Sequence, residues 1–249
     1  MKISVITIAY NAAQTIEATI QSVLNQEYKN LEYIIVDGGS KDETLKIVHK
    51  YESHISTFIS EKDEGVYDAM NKGLKLATGD VIAILNADDT YAHPKVLSHV
   101  VEALKKSGAD SCYGDLVYVD RMRPEKITRT WISGPYQKDS FLNGWMPPHP
   151  SFFAKRQLYL DYGFFNTQLR TSADYELMLR FLFRYNATTV YINEVLVKMK
   201  MGGQSNASFK NRISANKEDR LAWKINGLKP NNLTLIKKPF RKIKQFWKR

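Results

Sequence analysis

The stretch GDVIAILNADDT, residues 79–90, decides how the chain is read. Val81 to Leu85 are apolar without a break, and Asn86, Asp88 and Asp89 follow within four residues. An unbroken apolar run of this length is the pattern of a strand buried on both faces, as in a parallel sheet covered by helices. Open α/β sheets bind ligands outside the carboxyl ends of their strands, which is where these oxygen-bearing side chains fall. One or two carboxylates there, completed by substrate phosphates and water, suit Mg²⁺ or Mn²⁺. A turn in which Asp and Asn satisfy their own backbone is the structural alternative.

Outward from this stretch, apolar periodicity alternates between strand and helix. Strands are expected at 2–8, 31–37, 55–60 and 80–86, with helices at 15–26, 42–51, 66–77 and 93–106 between and after them. Such alternation with short loops argues for βαβ units and a parallel sheet. After residue 110 the pattern changes. DSCYGDLVYVD and EKITRTWI read as an antiparallel pair, followed by a loop rich in proline and aromatic residues up to Phe153. A helix is expected at 173–185, a strand at 188–199, and two closing helices at 208–226 and 233–248.

The 249 residues suffice for a sizeable core. The single cysteine, Cys112, excludes an intrachain disulfide and a cysteine-based zinc site. No apolar run approaches the roughly 20 residues that span a bilayer. The apolar stretch at the N-terminus is short and interrupted by Ser4 and Thr7, so it reads as a first strand rather than a signal peptide. A cytoplasmic protein is the expectation. The net charge of +10 is uneven. Lys198 to Arg249 carry 15 Lys and Arg against two acids, a net +13, while residues 1–197 carry 21 basic against 24 acidic groups. The basicity therefore belongs to the C-terminal fifth.

IIVDGGSKDET places Asp37 at the end of the second strand, with Gly38 and Gly39 for a sharp turn. Ser40 and Glu43 read as a capping box for the next helix. Local rules leave Asp37 unexplained, which makes it a candidate for function. The motifs SVITIAYNAAQTIEATIQSVLNQ, YIIVDGGSKDET, DAMNKGLKLATGD and LNADD, in this order and spacing, resemble the family 2 glycosyltransferases. The resemblance covers roughly residues 1–205. It implies an α/β GT-A (Rossmann-like) fold, a mostly parallel twisted sheet flanked by helices, with residues 206–249 as a basic helical extension. It also implies inverting transfer of a sugar from a nucleotide diphosphate, a UDP-sugar first among the donors.

Carried over by motif, Asp37 would meet the base or ribose, and Asn86-Ala87-Asp88 would occupy the DxD position. Asp88 would be the main ligand of Mn²⁺ or Mg²⁺, with Asp89 beside it. Asn86 supplies a neutral oxygen where the family has its first acid. Ile8-Ala9 replaces the frequent Pro-Thr, so Ala9 would contact the nucleotide through its backbone. Asp63, in SEKDEGVYDAMNKG, is placed near the nucleotide. The local alternative for this segment is a solvated charge run before an amphipathic helix with Val66, Met70 and Leu74 inward.

In TSADYELMLRFLFRY, Asp174 opens a helix whose buried face holds Leu177, Met178, Phe181 and Leu182. An acid in the first turn favours the helix dipole; the resemblance makes Asp174 the general base instead. His149, in MPPHPSFF, is either a structural residue or a wall of the sugar site. The segment GGQS, 202–205, either closes over the diphosphate or turns. Within 233–249, Ile236, Phe240, Ile243 and Trp247 fall at helical spacing among Lys and Arg, which suits an anionic membrane surface. A helix packed on the body is the alternative. No nucleic-acid motif is present. The sequence thus predicts a glycosyltransferase at the inner face of the plasma membrane, with a glycan or lipid-linked acceptor. A nucleotidyltransferase acting on sugar phosphates and a non-catalytic membrane-surface protein are the rivals.

Overall fold

The computed structural model describes residues 1–202, 209–231 and 234. Four parallel strands form the first half of a nine-stranded sheet: β1 (Ile3–Ala9), β2 (Leu31–Asp37), β3 (Thr57–Ser60) and β4 (Val81–Asn86). Every residue of β1 is buried, as is every residue of β4 except Asn86, so the apolar runs reflect burial on both faces. The sheet continues through β5 (Asp89–Tyr91), β6 (Ser111–Val119), β7 (Ile127–Trp131), β8 (Phe152–Lys155) and β9 (Thr189–Lys200). The strand order is β3-β2-β1-β4-β8-β6-β9-β5, with β7 paired to β6. β8 runs antiparallel to β4 and β6, and β5 runs antiparallel to β9.

Helices cover both faces. On one side α3 (Val66–Leu76) packs with α5 (Arg156–Tyr162) and α6 (Ala173–Met178) in a core that includes Ile6, Val36, Met70, Phe141, Tyr175 and Trp223. On the other, α1 (Ile16–Leu24), α2 (Thr44–His49) and α4 (Val96–Ser107) pack over Ile3, Val5, Ile35 and Val81. The inward face of α3 is Tyr67, Met70 and Leu74, whereas Val66 is 44% exposed. The expectation that Val66 points inward is therefore corrected: register places Tyr67, one residue on, under the sheet.

Three further differences from the periodicity have local causes. β8 and α5 arise within and after the proline-rich loop, where tertiary pairing with β4 and β6 supplies what local pattern does not. β5 adds a short strand where only a loop was expected, pairing Asp89 with Met199. The helix expected at 173–185 is α only to Met178 and then widens into a π-turn over Leu179–Arg184. Such turns occur often at functional sites.

α7 (Phe209–Ile225) comes from the basic C-terminal part yet anchors α6. Trp223 is fully buried and its indole N–H donates to the Tyr175 hydroxyl at 2.8 Å. Asn226 donates to Glu176 at 2.9 Å, and Glu176 pairs with Arg180 at 2.9 Å. Glu218 accepts from the Thr171 and Ser172 N–H groups at 2.8 and 3.0 Å. The start of α6 is thus held from outside its own segment. The segments 203–208, 232–233 and 235–249, which contain most of GGQS and of the expected last helix, lie outside the described residues. Among the described residues no helix is long and apolar enough to cross a membrane.

A second anchor, Glu32, ties the amino ends of three elements. Its carboxylate accepts from the Ser4 hydroxyl, the Thr78 N–H (2.8 Å) and hydroxyl (2.7 Å), and Lys2 (2.9 Å). Burial would raise its pKa, but these donors outweigh burial and hold it at about 2. Because the folded value lies below the unfolded one, this stabilisation is complete above the ordinary glutamate range and is lost as pH falls toward 2. Glu32→Gln is expected to lower the melting temperature at pH 7 and to flatten its decline between about pH 4.5 and 2. Parallel melting curves of wild type and variant check this; an equally steep acid decline in the variant would remove Glu32 as its source.

Candidate active site

β1, β2 and β4 end at one edge because the parallel ladders are in register. Ala9 lies opposite Asp37, and Ile8 opposite Asn86. The Ile8 carbonyl accepts the Ala87 N–H at 3.1 Å and the Ala9 carbonyl accepts the Gly38 N–H at 2.9 Å. These carbonyls close the strand ends on one another. The next residue, Tyr10, is 57% exposed.

Asp37 is fully buried. One carboxylate oxygen accepts the N–H groups of Gly39 (3.0 Å) and Ser40 (2.9 Å) and the Ser60 hydroxyl (2.7 Å), and the other accepts the Ser40 hydroxyl. The Ser40–Glu43 capping box does not form. α2 begins at Thr44, whose N–H is accepted by Asp42 at 3.0 Å, and Ser40 turns instead to the buried carboxylate, which would be costly unpaired. Asp37 therefore shapes the turn after β2. Above that turn lies Asp63, whose Oδ1 accepts the Gly65 N–H at 2.9 Å. A Cβ on Gly38 would stand 2.2 Å from Asp63 Oδ2 and 3.4 Å from the Tyr10 ring, so only glycine lets these three groups converge.

At the end of β4, Asp88 is half-buried and Asp89 is wholly buried. Asn86 donates its amide to Asp89 Oδ2 at 3.1 Å, while Asp89 Oδ1 has no hydrogen-bond partner. Burial raises the pKa of both acids, and the charge of Asp88 raises Asp89 further. Lys200 and Arg121 oppose the rise at Asp88. Their proximity follows from the sheet. Asp89 pairs with Met199 in the β5–β9 ladder, which carries Lys200 to Asp88, and Lys200 pairs with Val119 just before Arg121.

Asp174, in the first turn of α6, is partly exposed and accepts the Tyr67 hydroxyl at 3.1 Å. His149 faces the same acid. Burial lowers the imidazole pKa and the charge of Asp174 opposes it. His149 also lies toward the end of β4, because Phe153 pairs with Ala83 and the chain before it runs back along that strand. The structure thus gathers Asp63 with Asp37 at one end, Asn86, Asp88 and Asp89 at the centre, and His149 with Asp174 at the other. Sequence reasoning missed Tyr10, Tyr67, Arg121 and Lys200. Only Tyr67 left a signal, as an aromatic residue at the inward spacing of Met70 and Leu74.

Among the described residues one further cluster has metal-ligating groups: His93, His99 and Glu194. It stands at the middle of β9 and beside α4, away from the strand ends. The Lys95 N–H donates to His93 Nδ1 at 3.2 Å, and His93 Nε2 stands 3.0 Å from Glu194 without forming a hydrogen bond to it. His99 Nδ1 meets the other Glu194 oxygen at 2.7 Å.

Residues 4–170 match the model of Glycosyl transferase family 2. The chain belongs to this family. An uncharacterized glycosyltransferase of Mycobacterium tuberculosis is 34% identical over 185 residues, 72% of this chain and 68% of that one. A PGL/p-HBAD biosynthesis glycosyltransferase of Mycobacterium bovis is 31% identical over 208 residues, 82% and 78% of the two chains. Staphylococcus aureus TarS 1–349 in complex with UDP-GlcNAc superposes with a TM-score of 0.70 at 18% identity, covering 95% of this chain and 69% of that one. A mannosyltransferase from Pyrobaculum calidifontis in complex with GDP-Man and Mn²⁺ gives 0.68 at 19% identity, covering 96% and 69%. The fold of this family 2 glycosyltransferase is GT-A.

The DxD-position residues of this glycosyltransferase fit a hard divalent cation. Two adjacent acids in a desolvated turn repel each other, and a buried carboxylate oxygen without a partner costs on the order of 1–3 kcal/mol. Carboxylate and amide oxygens are the donors that Mg²⁺ and Mn²⁺ select. If Asp88 is the accessible ligand, Asp88→Ala should reduce the effect of Mn²⁺ on UDP or GDP binding to within about twofold, under half a kcal/mol. Titration calorimetry with and without Mn²⁺ checks this; undiminished metal dependence in the variant would transfer the role to Asp89.

Proposed function

We propose that the enzyme transfers a hexosyl or N-acetylhexosaminyl group from a nucleotide diphosphate sugar to an acceptor hydroxyl with inversion. The observation that carries this reading is the first turn of α3 and the loop before it. Asp63 closes over Gly38 at the nucleotide end, and four residues later Tyr67 holds Asp174. Four residues of chain reach at most about 14 Å, so one short segment touches both groups. The complexes of structural neighbours with UDP-GlcNAc and GDP-Man favour a nucleotide-sugar donor, and we place a UDP-sugar first.

In this mechanism the Tyr10 ring, the Gly38 backbone and Asp63 border the nucleoside, with Asp37 holding their turn in place. Lys200 and Arg121 bring positive charge to the diphosphate beside Asp88. A bound Mn²⁺ or Mg²⁺ supplies neutralisation of charge on the departing diphosphate. His149 walls the sugar between the β4 end and Asp174. Asp174 takes the acceptor hydroxyl proton as its oxygen attacks the anomeric carbon. The bond from that carbon to the phosphate oxygen breaks on the opposite face, and a nucleoside diphosphate leaves.

Loss of a general base costs on the order of 10²- to 10⁴-fold in rate, whereas loss of a helix-dipole charge costs about 0.3–1 kcal/mol of stability. Asp174→Asn is therefore expected to melt near wild type, bind the donor normally and turn over about 10²- to 10⁴-fold more slowly. Product release from UDP-GlcNAc and GDP-mannose, run beside a melting curve, checks this; a rate within a fewfold of wild type removes Asp174 from the chemistry.

For the acceptor we propose a lipid-linked or membrane-proximal glycan, with the protein held at the inner face of the membrane by residues 233–249. Seven Lys and Arg without an acid in Lys237–Arg249, interleaved with Phe240, Ile243 and Trp247, support this. A chain ending at Asn232 keeps α7 and should stay folded while losing binding to phosphatidylserine liposomes. Flotation of full-length protein should weaken as salt rises. Equal flotation of both chains would discard the membrane role.

A further inference from the structure

Tyr67 holds a place that neither the DxD chemistry nor the core requires. Its hydroxyl, on a residue 8% exposed, spends its hydrogen bond on Asp174 at 3.1 Å. Its ring stacks on Phe165 at 5.6 Å with the planes 23° apart. One turn further along α3, Asn71 donates to the Phe165 carbonyl and accepts the Phe165 N–H, both at 2.9 Å. Phe165 in turn packs edge-on against His149 at 5.8 Å. Three contacts thus fix the phenol relative to the loop that leads into α6. A hydrophobic packing role needs only the ring, which a phenylalanine would supply; the hydroxyl meets the Asp174 carboxylate and also the Ala173 and Asp174 backbone N–H groups that open α6.

We propose that Tyr67 is a positioning residue for Asp174, holding one carboxylate oxygen in place so that the other is free to accept a proton. This rests on the reading of Asp174 as general base. A donor must stay a donor through the working pH range, and Tyr67 does. Burial, with the charge of Asp174 beside it, pushes the phenol well above its ordinary value. Among the described residues, three other groups stand near Asp174. His149 faces it from the turn before β8, largely neutral through burial. Glu176 lies on α6 itself but is paired with Arg180. Glu218 of α7 is committed to Thr171 and Ser172. Among the described residues, Tyr67 donates a hydrogen bond to the Asp174 carboxylate. α3 then serves both ends of the site, carrying Asp63 at its approach and the support of Asp174 in its first turn.

The test reads Asp174 without substrate. Protein labelled with ¹³C at aspartate carboxyls gives one resonance per residue, and that of Asp174 is the one missing from Asp174→Asn. In Tyr67→Phe, which keeps the ring and its stack, the Asp174 titration midpoint is expected to rise by about one pH unit, because a donor to the charged form is removed. The acid limb of turnover with UDP-GlcNAc or GDP-mannose should move up by the same amount. Should Tyr67→Phe unfold, 3-fluorotyrosine at position 67, a stronger donor in the same space, should move the midpoint the other way. A midpoint unchanged in Tyr67→Phe, or unchanged with fluorotyrosine, overturns the proposal. A midpoint that shifts while Asp174→Asn keeps its rate leaves Tyr67 controlling Asp174 and removes only the base reading.

Discussion

Hydrogen bonding of β1 to β2 on one side and to β4 on the other sets Ala9 opposite Asp37 and Ile8 opposite Asn86, and the site is built on that register. A slip of one residue would turn every side chain of β1 to the opposite face and part the strand ends. With the register kept, the turn after β2 and the turn after β4 emerge side by side. Each is then stabilised by its own acid in a different way. Asp37 is saturated by four donors and acts as a fixed post. Asp89 is buried with one oxygen unmet, beside a second acid whose charge it feels. The first arrangement stores no electrostatic stress and the second does.

The second half of the chain completes the site by reaching back to that edge. β8 runs antiparallel to β4, so the turn carrying His149 returns to the strand end. β9 runs antiparallel to β5 and brings Lys200 to Asp88. α7, through Glu218 and Trp223, and Asn226 just after it steady α6. Removing a buried Trp side chain costs about 3–5 kcal/mol, so this contact is a substantial part of what keeps α6 in place. α3 joins the two halves, with Asp63 above Gly38 and Tyr67 on Asp174.

Much of the parallel half was legible because burial on both faces writes itself as unbroken apolar runs, and Val81–Leu85 is the clearest. The acids at the strand ends were legible because sheet geometry places them there. What escaped the sequence depended on contacts distant along the chain. Tyr67 and Asp174 are 107 residues apart, and no local pattern links them. Lys200 reads as one more strand-end lysine until β5 lies beside it. Ser40 looked like a helix cap because its spacing to Glu43 is right, but a buried carboxylate three residues back is the stronger partner. Val66 and Tyr67 compete for one inward position, and the aromatic residue with a partner for its hydroxyl takes it.

The central claim is that the DxD-position acids and Asp174 border a single cleft. Paramagnetic broadening by Mn²⁺ tests it most directly. With MnCl₂ and UDP or GDP bound, the ¹³C-carboxyl resonance of Asp174 should broaden, and Asp88→Ala should abolish the effect at matched metal and nucleotide concentrations. A sharp Asp174 resonance while Mn²⁺ tightens the nucleotide would place the metal and the proposed base in separate sites and contradict the account.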